Sequence, residues 1–268
     1  MSFDTAYYSI GRLDRLSYQD TMVHRLDPRV KVVATFLFII AVVSYPKYEV
    51  ASLAPYFLLP VLIVSLADIP VLFLLKKLLI VSPFAIFVGM FNPLFDGGTV
   101  VFLGREVSAG WASFLSILVK FSLTISAALL LIATTSFPGV CHALRRFGVP
   151  AIFVSQLLFL YRYLFVLAEE TMRIVRARDM RSFGGHGLDA STAVRIIGTL
   201  FLRTVERAER VYTAMLSRGF SGDMPSMKRR AIGPADLLFL ALTAAALTVF
   251  RLVPVPEMIG RLLQGGRG

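Results

Sequence analysis

The sequence has 268 residues, of which 56% are hydrophobic and only 17% are charged, with a formal net charge of +11. Soluble domains carry about 25% charged residues, so this composition excludes an ordinary soluble domain and indicates a polytopic membrane protein. The single cysteine, Cys141, excludes an intramolecular disulfide framework and a cysteine-based zinc site. The first 29 residues are mostly polar, so we expect no cleavable signal peptide.

Five apolar stretches follow along the chain, and a membrane-crossing helix needs about 20 residues. They cover residues 32–44, 51–67, 78–95, 111–136 and 237–253. Pro83 and Gly89 are expected to interrupt the third stretch, and residues 69–79 before it are expected to form a turn and an interfacial lead-in. The sequence therefore predicts an all-α membrane protein with about five transmembrane helices.

Residues 150–168 form a further apolar segment, broken only by Arg162, and hydropathy alone does not decide whether it crosses the membrane. With five spans and the N-terminus inside, 22 of the 28 Lys and Arg residues lie in inside segments and five in outside segments. This distribution follows the positive-inside rule, and a sixth span would move the arginines of 173–218 outside. We therefore predict that residues 150–180 form one helix along the cytoplasmic face.

A second long helix is predicted for residues 190–217. Apolar residues recur there at steps of three and four, which is typical of one stripe of an amphipathic helix. They are Val194, Ile197, Phe201, Val205, Ala208, Tyr212 and Met215. Glycines 184, 185 and 187 are expected to form the turn between the two long helices. The predicted organisation is a lead-in with four transmembrane helices (1–136), a cytoplasmic coupling-helix region (137–233), and a last transmembrane helix with a tail (234–268).

Both long helices end in an arginine motif. The first is Ala177-Arg178-Asp179, and the second is Ser217-Arg218-Gly219, where Gly219 is expected to terminate the helix. One interpretation is that these cations only complement the helix dipole and the anionic leaflet. The other is that each arginine makes charge-assisted bonds to carboxylates of a partner. Two similar endings 40 residues apart favour a two-pronged partner surface.

A polar face runs along the fourth apolar stretch. Ser113, Ser116, Lys120 and Thr124 follow one another at steps of three, four and four, so they share one side of a helix. An intramembrane lysine must face protein or water, so this face is either a substrate path or a polar seam packed against neighbouring helices. We favour the seam.

Nothing in the sequence indicates an enzyme. The three histidines, His24, His142 and His186, are far apart and belong to no ligand cluster, and no hydrolase, metalloprotease or nucleotide-binding motif occurs. We expect no catalytic residue, no cofactor, no metal site and no nucleic-acid partner.

Three stretches resemble a known family. They are "LDRLSYQDTMVHRLDPRVKVV" (13–33), especially Leu26-Asp27-Pro28-Arg29 and Lys31; "FNPLF" (91–95); and the two arginine motifs, which are similar to Ala-Arg-Gly signatures. Over residues 13–253 the chain resembles the transmembrane T component of energy-coupling-factor (ECF) transporters, most closely its cobalt-type branch, CbiQ. It departs from the signatures at Asp179, where glycine is usual, and at Ser217, where alanine is usual. Asp179 could pair with a nearby arginine.

The resemblance implies a scaffold without enzymatic activity in a bacterial or archaeal inner membrane, with a cytoplasmic N-terminus. It implies contacts to two cytoplasmic ABC-type ATPases, to a membrane-embedded substrate-binding subunit for cobalt or nickel, and to membrane lipid. The ATPase-contacting residues would be Ala177, Arg178, Asp179, Ser217, Arg218 and Gly219. Two alternatives stay open: a transporter or channel that carries substrate along the Ser113–Lys120–Thr124 face, and a membrane-anchored interaction protein whose helix pair binds anionic lipid.

Overall fold

The structure is a computed structural model that describes residues 16–95, 98–102, 105–181, 189–222 and 232–252. The chain divides into two compact units. We call residues 14–136 together with 230–268 the bundle unit, and residues 137–229 the long-helix unit. The glycine turn predicted at residues 184–187 lies outside the described residues.

The bundle unit is mainly helical. Its helices are α1 (Pro28–Val43), a 3₁₀ helix (Ala51–Phe57) that continues as α2 (Leu58–Leu66), α3 (Val71–Gly89), the single turn α4 (Asn92–Phe95), α5 (Ala109–Thr134) and α9 (Pro234–Leu252). A short antiparallel hairpin, β1 (Thr99–Phe102) and β2 (Arg105–Ser108), connects α4 to α5. The apolar pattern of the sequence does not predict this hairpin.

The ends of three bundle helices meet at one face of the unit, which we call the clamp face. At the start of α9, the buried carboxylate of Asp236 accepts the backbone N–H of Asp27 at 2.7 Å and that of Gly233 at 2.8 Å. At the end of α5, the carbonyl of Thr134 accepts the buried ammonium of Lys31 at 2.8 Å. These bonds satisfy backbone groups that helix ends leave unpaired.

The motif at residues 26–29 explains why α1 begins where it does. Asp27 precedes the helix in an extended conformation, and its side chain accepts the N–H of Arg29 at 2.9 Å. Pro28 occupies the first turn, where its missing N–H removes no helical bond. Residues 26–29, which resemble a motif of the family, therefore cap the N-terminus of α1 and fix its start on the clamp face.

Contacts away from the clamp face show in which direction the bundle helices run. Tyr45, just after α1, donates its hydroxyl to the carbonyl of Phe250 near the end of α9 at 3.1 Å. The carbonyl of Tyr45 accepts the ammonium of Lys120, in the middle of α5, at 2.6 Å. Since α1 and α9 also start together at the clamp face, these two helices run in the same direction and α5 runs opposite to them.

Helix α3 differs from the prediction in two ways. It begins at Val71, so most of the segment 69–79 is helix rather than a turn and lead-in. It also continues through Pro83, which was expected to interrupt it. Pro83 cannot donate to the carbonyl of Leu79, but the hydroxyl of Ser82 donates to that carbonyl at 2.9 Å instead. The predicted interruption is wrong because a neighbouring side chain replaces the missing donor.

The first turn of α5 packs very closely on the segment 92–93. A Cβ atom built on Gly110 would lie 2.5 Å from the Cα of Pro93 and 2.9 Å from the carbonyl oxygen of Asn92. Only glycine allows this approach of two backbones. The "FNPLF" stretch therefore docks its backbone against the start of α5.

The long-helix unit consists of α6 (Phe137–Arg146), α7 (Ala151–Arg181) and α8 (Ala190–Leu216). The two long helices predicted at residues 150–180 and 190–217 are thus confirmed within a residue or two. Among the described residues, α7 has only two buried positions, Val154 and Ser155, and α8 has none. Most of the surface of both helices is available for contacts outside the unit.

Four helices are long and apolar enough to cross a membrane by length and composition, namely α3, α5, α7 and α9. Helix α1, with 16 residues, and the apolar segment Ala51–Leu66 are shorter. The predicted all-α polytopic membrane fold is confirmed, and each of the five predicted stretches contains a bundle helix.

Candidate functional site

The first arginine motif lies near the end of α7. The guanidinium of Arg178 donates from Nη1 to Oδ1 of Asp179 at 3.1 Å. The side chain of Arg178 is 24% exposed and that of Asp179 is 58% exposed. Asp179, where this chain departs from the family signature, therefore does pair with an arginine, and that arginine is the one in its own motif.

The second arginine motif forms the end of α8. The N–H of Phe220 donates to the carbonyl of Met215 at 3.0 Å, and the N–H of Gly219 donates to that of Leu216 at 2.9 Å. This pair of bonds is the Schellman motif, and Gly219 adopts the left-handed conformation it requires, with φ of +80°. The predicted role of Gly219 as helix terminator is confirmed, and Arg218 lies exposed immediately before it.

The residues after the second motif pack on the first third of α7. The ring of Phe220 meets the ring of Phe159 edge to face, with 6.3 Å between centroids. The hydroxyl of Ser155, which is buried, donates to the carbonyl of Gly222 at 3.2 Å. The backbone that carries Arg218 is therefore braced against α7 rather than left as a free helix end.

The two motifs lie at opposite ends of the helix pair. Phe220, two residues after Arg218, contacts α7 at Phe159, whereas Arg178 lies 19 residues further along α7. At a rise of 1.5 Å per residue this separation is about 28 Å. An ion pair of 2.9 Å between Arg203 of α8 and Glu170 of α7 joins the helices between these points. The long-helix unit thus presents two separated arginine ends on one connected frame.

The predicted apolar stripe of α8 is exposed. Among its large side chains, Val194, Ile197 and Phe201 are each 65–69% exposed, and Tyr212 is 56% exposed. An apolar stripe of this length next to arginine-bearing faces requires a membrane surface or another protein to cover it.

On the polar face of α5, Lys120 and Thr124 are hydrogen-bonded within the protein. The ammonium of Lys120 is bound to the carbonyl of Tyr45, and the hydroxyl of Thr124 is bonded to the carbonyl of Lys120 in its own helix at 2.8 Å. Ser113 and Ser116 are buried. A cavity of about 40 Å³ in the bundle unit is lined by residues of α1, α2, α5 and α9, but by none of these four. The contacts favour the seam over a substrate path.

The sequence does not predict four residues that position the helix ends described above. Asp236 does so on the clamp face, and Ser155, Phe159 and Phe220 do so next to the second arginine motif. Asp236 had a signal, because an acidic residue in the first turn of an apolar helix complements the helix dipole and can bind N–H groups. The other three act through contacts between distant parts of the chain, which no local pattern indicates. Within the described residues, no three His, Cys, Asp or Glu side chains come together to form a metal site.

Comparison with known proteins agrees with this architecture. The sequence profile of the cobalt transport protein family, CbiQ, matches residues 19–229. The chain is 28% identical over 267 residues to the energy-coupling factor transporter transmembrane protein EcfT of Bacillus selenitireducens, covering 92% of this chain and 95% of that protein. It is 26% identical to EcfT of Ruminiclostridium cellulolyticum, covering 85% of this chain and 91% of that protein. It is 33% identical over 120 residues to the cobalt transport protein CbiQ of Rhodobacter capsulatus, covering 43% and 48%.

The multi-pass helical bundle with its two long helices defines a polytopic membrane protein. The chain belongs to the CbiQ family, and it is a transmembrane component of the ECF transporter type. The two EcfT relatives are named as transmembrane proteins of a transporter, and the Rhodobacter capsulatus relative is named as a cobalt transport protein.

Proposed function

We propose that this chain is the energy-coupling scaffold of an ECF-type importer. In this role α7 and α8 are coupling helices, and the motifs 177–179 and 217–219 dock on two cytoplasmic ABC-type ATPases. ATP-driven movement of the ATPases is then transmitted through the helix pair to a membrane-embedded substrate-binding subunit. Cobalt or nickel is the proposed cargo, because the family profile and the Rhodobacter capsulatus relative are both named for cobalt transport.

The observation that carries this proposal is the spacing of the two arginine ends. About 28 Å of α7 separates Arg178 from the point where the end of α8 is braced. This distance is close to the diameter of a small domain, so two partner subunits can dock without competing for one position. The ion pair between Arg203 and Glu170 and the contact between Phe220 and Phe159 connect both ends, so displacement of one end is passed to the other.

The direction of the bundle helices supports a cytoplasmic position for α7 and α8. The end of α5 and the start of α9 both lie at the clamp face, so residues 137–229 cross the membrane an even number of times. If α7 crossed, α8 would have to cross as well. Helix α8 carries Arg195, Arg203, Arg207 and Arg210, which disfavours a span. Lys76 and Lys77 lie within α3, but the other segments assigned to the inside still hold most of the basic residues, and this supports a cytoplasmic clamp face and N-terminus.

The proposal is tested by removing the arginine side chain of both motifs. In the double variant Arg178→Ala/Arg218→Ala, we expect co-purification with ABC-type ATPases and cobalt uptake to be lost while membrane insertion is retained. Truncating one partner of a desolvated charge pair costs about 2–5 kcal/mol, so two such losses suffice to dissociate a complex. The measurement is ATPase recovery after affinity purification in mild detergent, together with radiolabelled cobalt uptake by cells.

The matched control is Arg210→Ala. Arg210 is an exposed arginine of α8 that pairs only loosely with Glu206, at 3.8 Å, and it lies outside both motifs. We expect this variant to keep ATPase binding and uptake. Retention of both by the double variant as well would show that the arginine motifs do not dock ATPases. Binding of the wild type to anionic vesicles but to no ATPase would support the lipid-anchored alternative.

Direct transport along the α5 face has its own test. Lys120→Met removes the ammonium but keeps most of the side-chain volume, and under the scaffold function cobalt uptake should continue. Selective loss of uptake with an intact complex would favour the substrate path. The cost to stability should be modest, because a hydrogen bond inside a membrane protein contributes about 1 kcal/mol or less.

A further inference from the structure

The two arginine motifs differ in their surroundings within this chain. Arg218 is exposed at a Schellman end whose backbone is held by the contact between Phe220 and Phe159. Arg178 is only 24% exposed, and its guanidinium is already bound to the carboxylate of Asp179 at 3.1 Å. A partner that binds Arg178 must therefore displace a carboxylate of the same chain.

A second carboxylate, that of Asp189, is weakly influenced by the charge of Arg178. Asp189 immediately precedes α8 and accepts the hydroxyl of Ser191 at 2.6 Å. That hydrogen bond is the main reason why the pKa of Asp189 is lowered, and the positive charge of Arg178 lowers it further. Arg178 is thus hydrogen-bonded to a carboxylate at the end of α7, and its charge also acts weakly on a carboxylate at the start of α8.

These placements are electrostatically favourable in the free chain. A cation at the end of α7 complements the negative end of that helix, and an anion at the start of α8 complements the positive end of the next. The same contacts weaken the attraction of Arg178 for an acidic partner, because docking exchanges one carboxylate for another instead of neutralising an unpaired charge.

We propose that Asp179, supported by Asp189, is an intramolecular competitor for Arg178, so the two docking ends are unequal and Arg218 is the stronger ATPase anchor. This inference rests on the proposed function. It assigns a role to the residue at which the chain departs from the family signature: Asp179 tunes the first contact so that it releases more readily than the second. The scaffold would then stay attached to one ATPase while its contact to the other exchanges.

The experiment compares ATPase binding by full-length variants in lipid nanodiscs, with the ABC-type ATPase that co-purifies with the wild-type chain as the probe. Asp179→Asn keeps the shape of the side chain and removes its charge. An exposed ion pair contributes little, so we expect binding to tighten only about two- to fivefold. In the Arg178→Ala background the same change should have no effect. Arg218→Ala should weaken binding more than Arg178→Ala does.

Three results would overturn the inference while leaving the proposed function intact: unchanged or weaker binding by Asp179→Asn, the same gain with and without Arg178, or equal losses from the two single arginine variants. Failure of the double arginine variant to lose ATPase binding would instead reject the proposed function itself. Asp189→Asn provides a second variant, because asparagine also serves well before a helix. It should shift binding in the same direction as Asp179→Asn but by less, and no shift would contradict the role given to Asp189.

Discussion

The carboxylate of Asp236 accepts the backbone N–H of Asp27 at 2.7 Å, although the two residues are 209 positions apart in the sequence. Its other oxygen accepts the N–H of Gly233 at 2.8 Å, and both aspartates are 2% exposed. One side chain therefore satisfies backbone donors at the starts of both α1 and α9.

Replacement of Asp236 by alanine should destabilise the bundle strongly. The change leaves two N–H donors without their acceptor, and each unsatisfied buried group costs roughly 1–3 kcal/mol. Asp236→Asn, which keeps one carbonyl acceptor, should be intermediate. The measurement is thermal unfolding of the detergent-solubilised protein. Asp20→Ala is the control, since the ion pair of Asp20 with Arg25 is exposed, and it should unfold close to the wild type. Equal unfolding temperatures of the Asp20 and Asp236 variants would contradict the structural role of the bonds that Asp236 accepts.

Ser82→Ala tests why α3 continues through Pro83. Loss of the hydroxyl leaves the carbonyl of Leu79 without its side-chain donor, and we expect a destabilisation of about 1 kcal/mol or less. In the Pro83→Ala background, residue 83 has an N–H that can donate to the same carbonyl, so Ser82→Ala should then cost little. A double-mutant cycle on unfolding free energy measures the difference. Identical costs in the two backgrounds would show that Ser82 does not compensate for the proline.

Replacement by alanine should have opposite effects on stability at two helical glycines. Gly110→Ala places a Cβ atom 2.5 Å from the Cα of Pro93, so the helix must move away from the segment 92–93 and stability should fall by about 1–3 kcal/mol. Gly198 lies in α8 with nothing within 4 Å of the corresponding position. Gly198→Ala should therefore stabilise the helix by up to about 1 kcal/mol. The readouts are expression level and thermal unfolding, and tolerance of Gly110→Ala would disprove the close backbone approach.

His24 should make the bundle unit less stable in mild acid. Its Nε2 donates to the carbonyls of Leu16 at 3.0 Å and Ala133 at 3.3 Å, while Nδ1 faces the hydroxyl of Thr21 at 2.7 Å. Partial burial lowers the pKa of His24 below its usual value of 6.5, and the nearby charge of Lys31 lowers it further. The unfolded state therefore binds a proton more readily than the folded state.

The consequence for pH dependence has a definite sign. As pH falls from above 6.5 towards the lowered pKa of His24, the unfolded state becomes protonated first and unfolding becomes easier. We expect the unfolding temperature to fall over this window in the wild type and to fall less in His24→Gln, which keeps a side-chain N–H donor. A steeper acid response in His24→Gln would show that His24 does not contribute in this way.

The helices can be predicted from the sequence because the length and the periodicity of an apolar stretch are local properties. The sequence predicts helices over residues 150–180 and 190–217, close to the observed ends, and it predicts Gly219 as a helix terminator because glycine is common just after a helix. The predicted interruption at Pro83 is wrong because a proline usually breaks or kinks a helix, and nothing local indicates that the hydroxyl of Ser82 replaces the missing N–H.

The candidate site was only partly predictable. The motifs themselves are short sequence patterns, and Asp179 was identified as a potential partner for an arginine. Their separation was not predictable, because it depends on the contact of Phe220 with Phe159 and the pair of Arg203 with Glu170, which join different helices. Contacts of this kind follow from packing of the whole unit and leave no periodic signal.

The bond between Asp27 and Asp236 also constrains biosynthesis. Helix α1 is synthesised and inserted long before α9 exists, so it must remain in the bilayer with the N–H of Asp27 not yet paired to its final acceptor. The bundle closes only after the ribosome has made the entire long-helix unit. Both arginine motifs are therefore synthesised before the hydrogen bond between Asp27 and Asp236 can form.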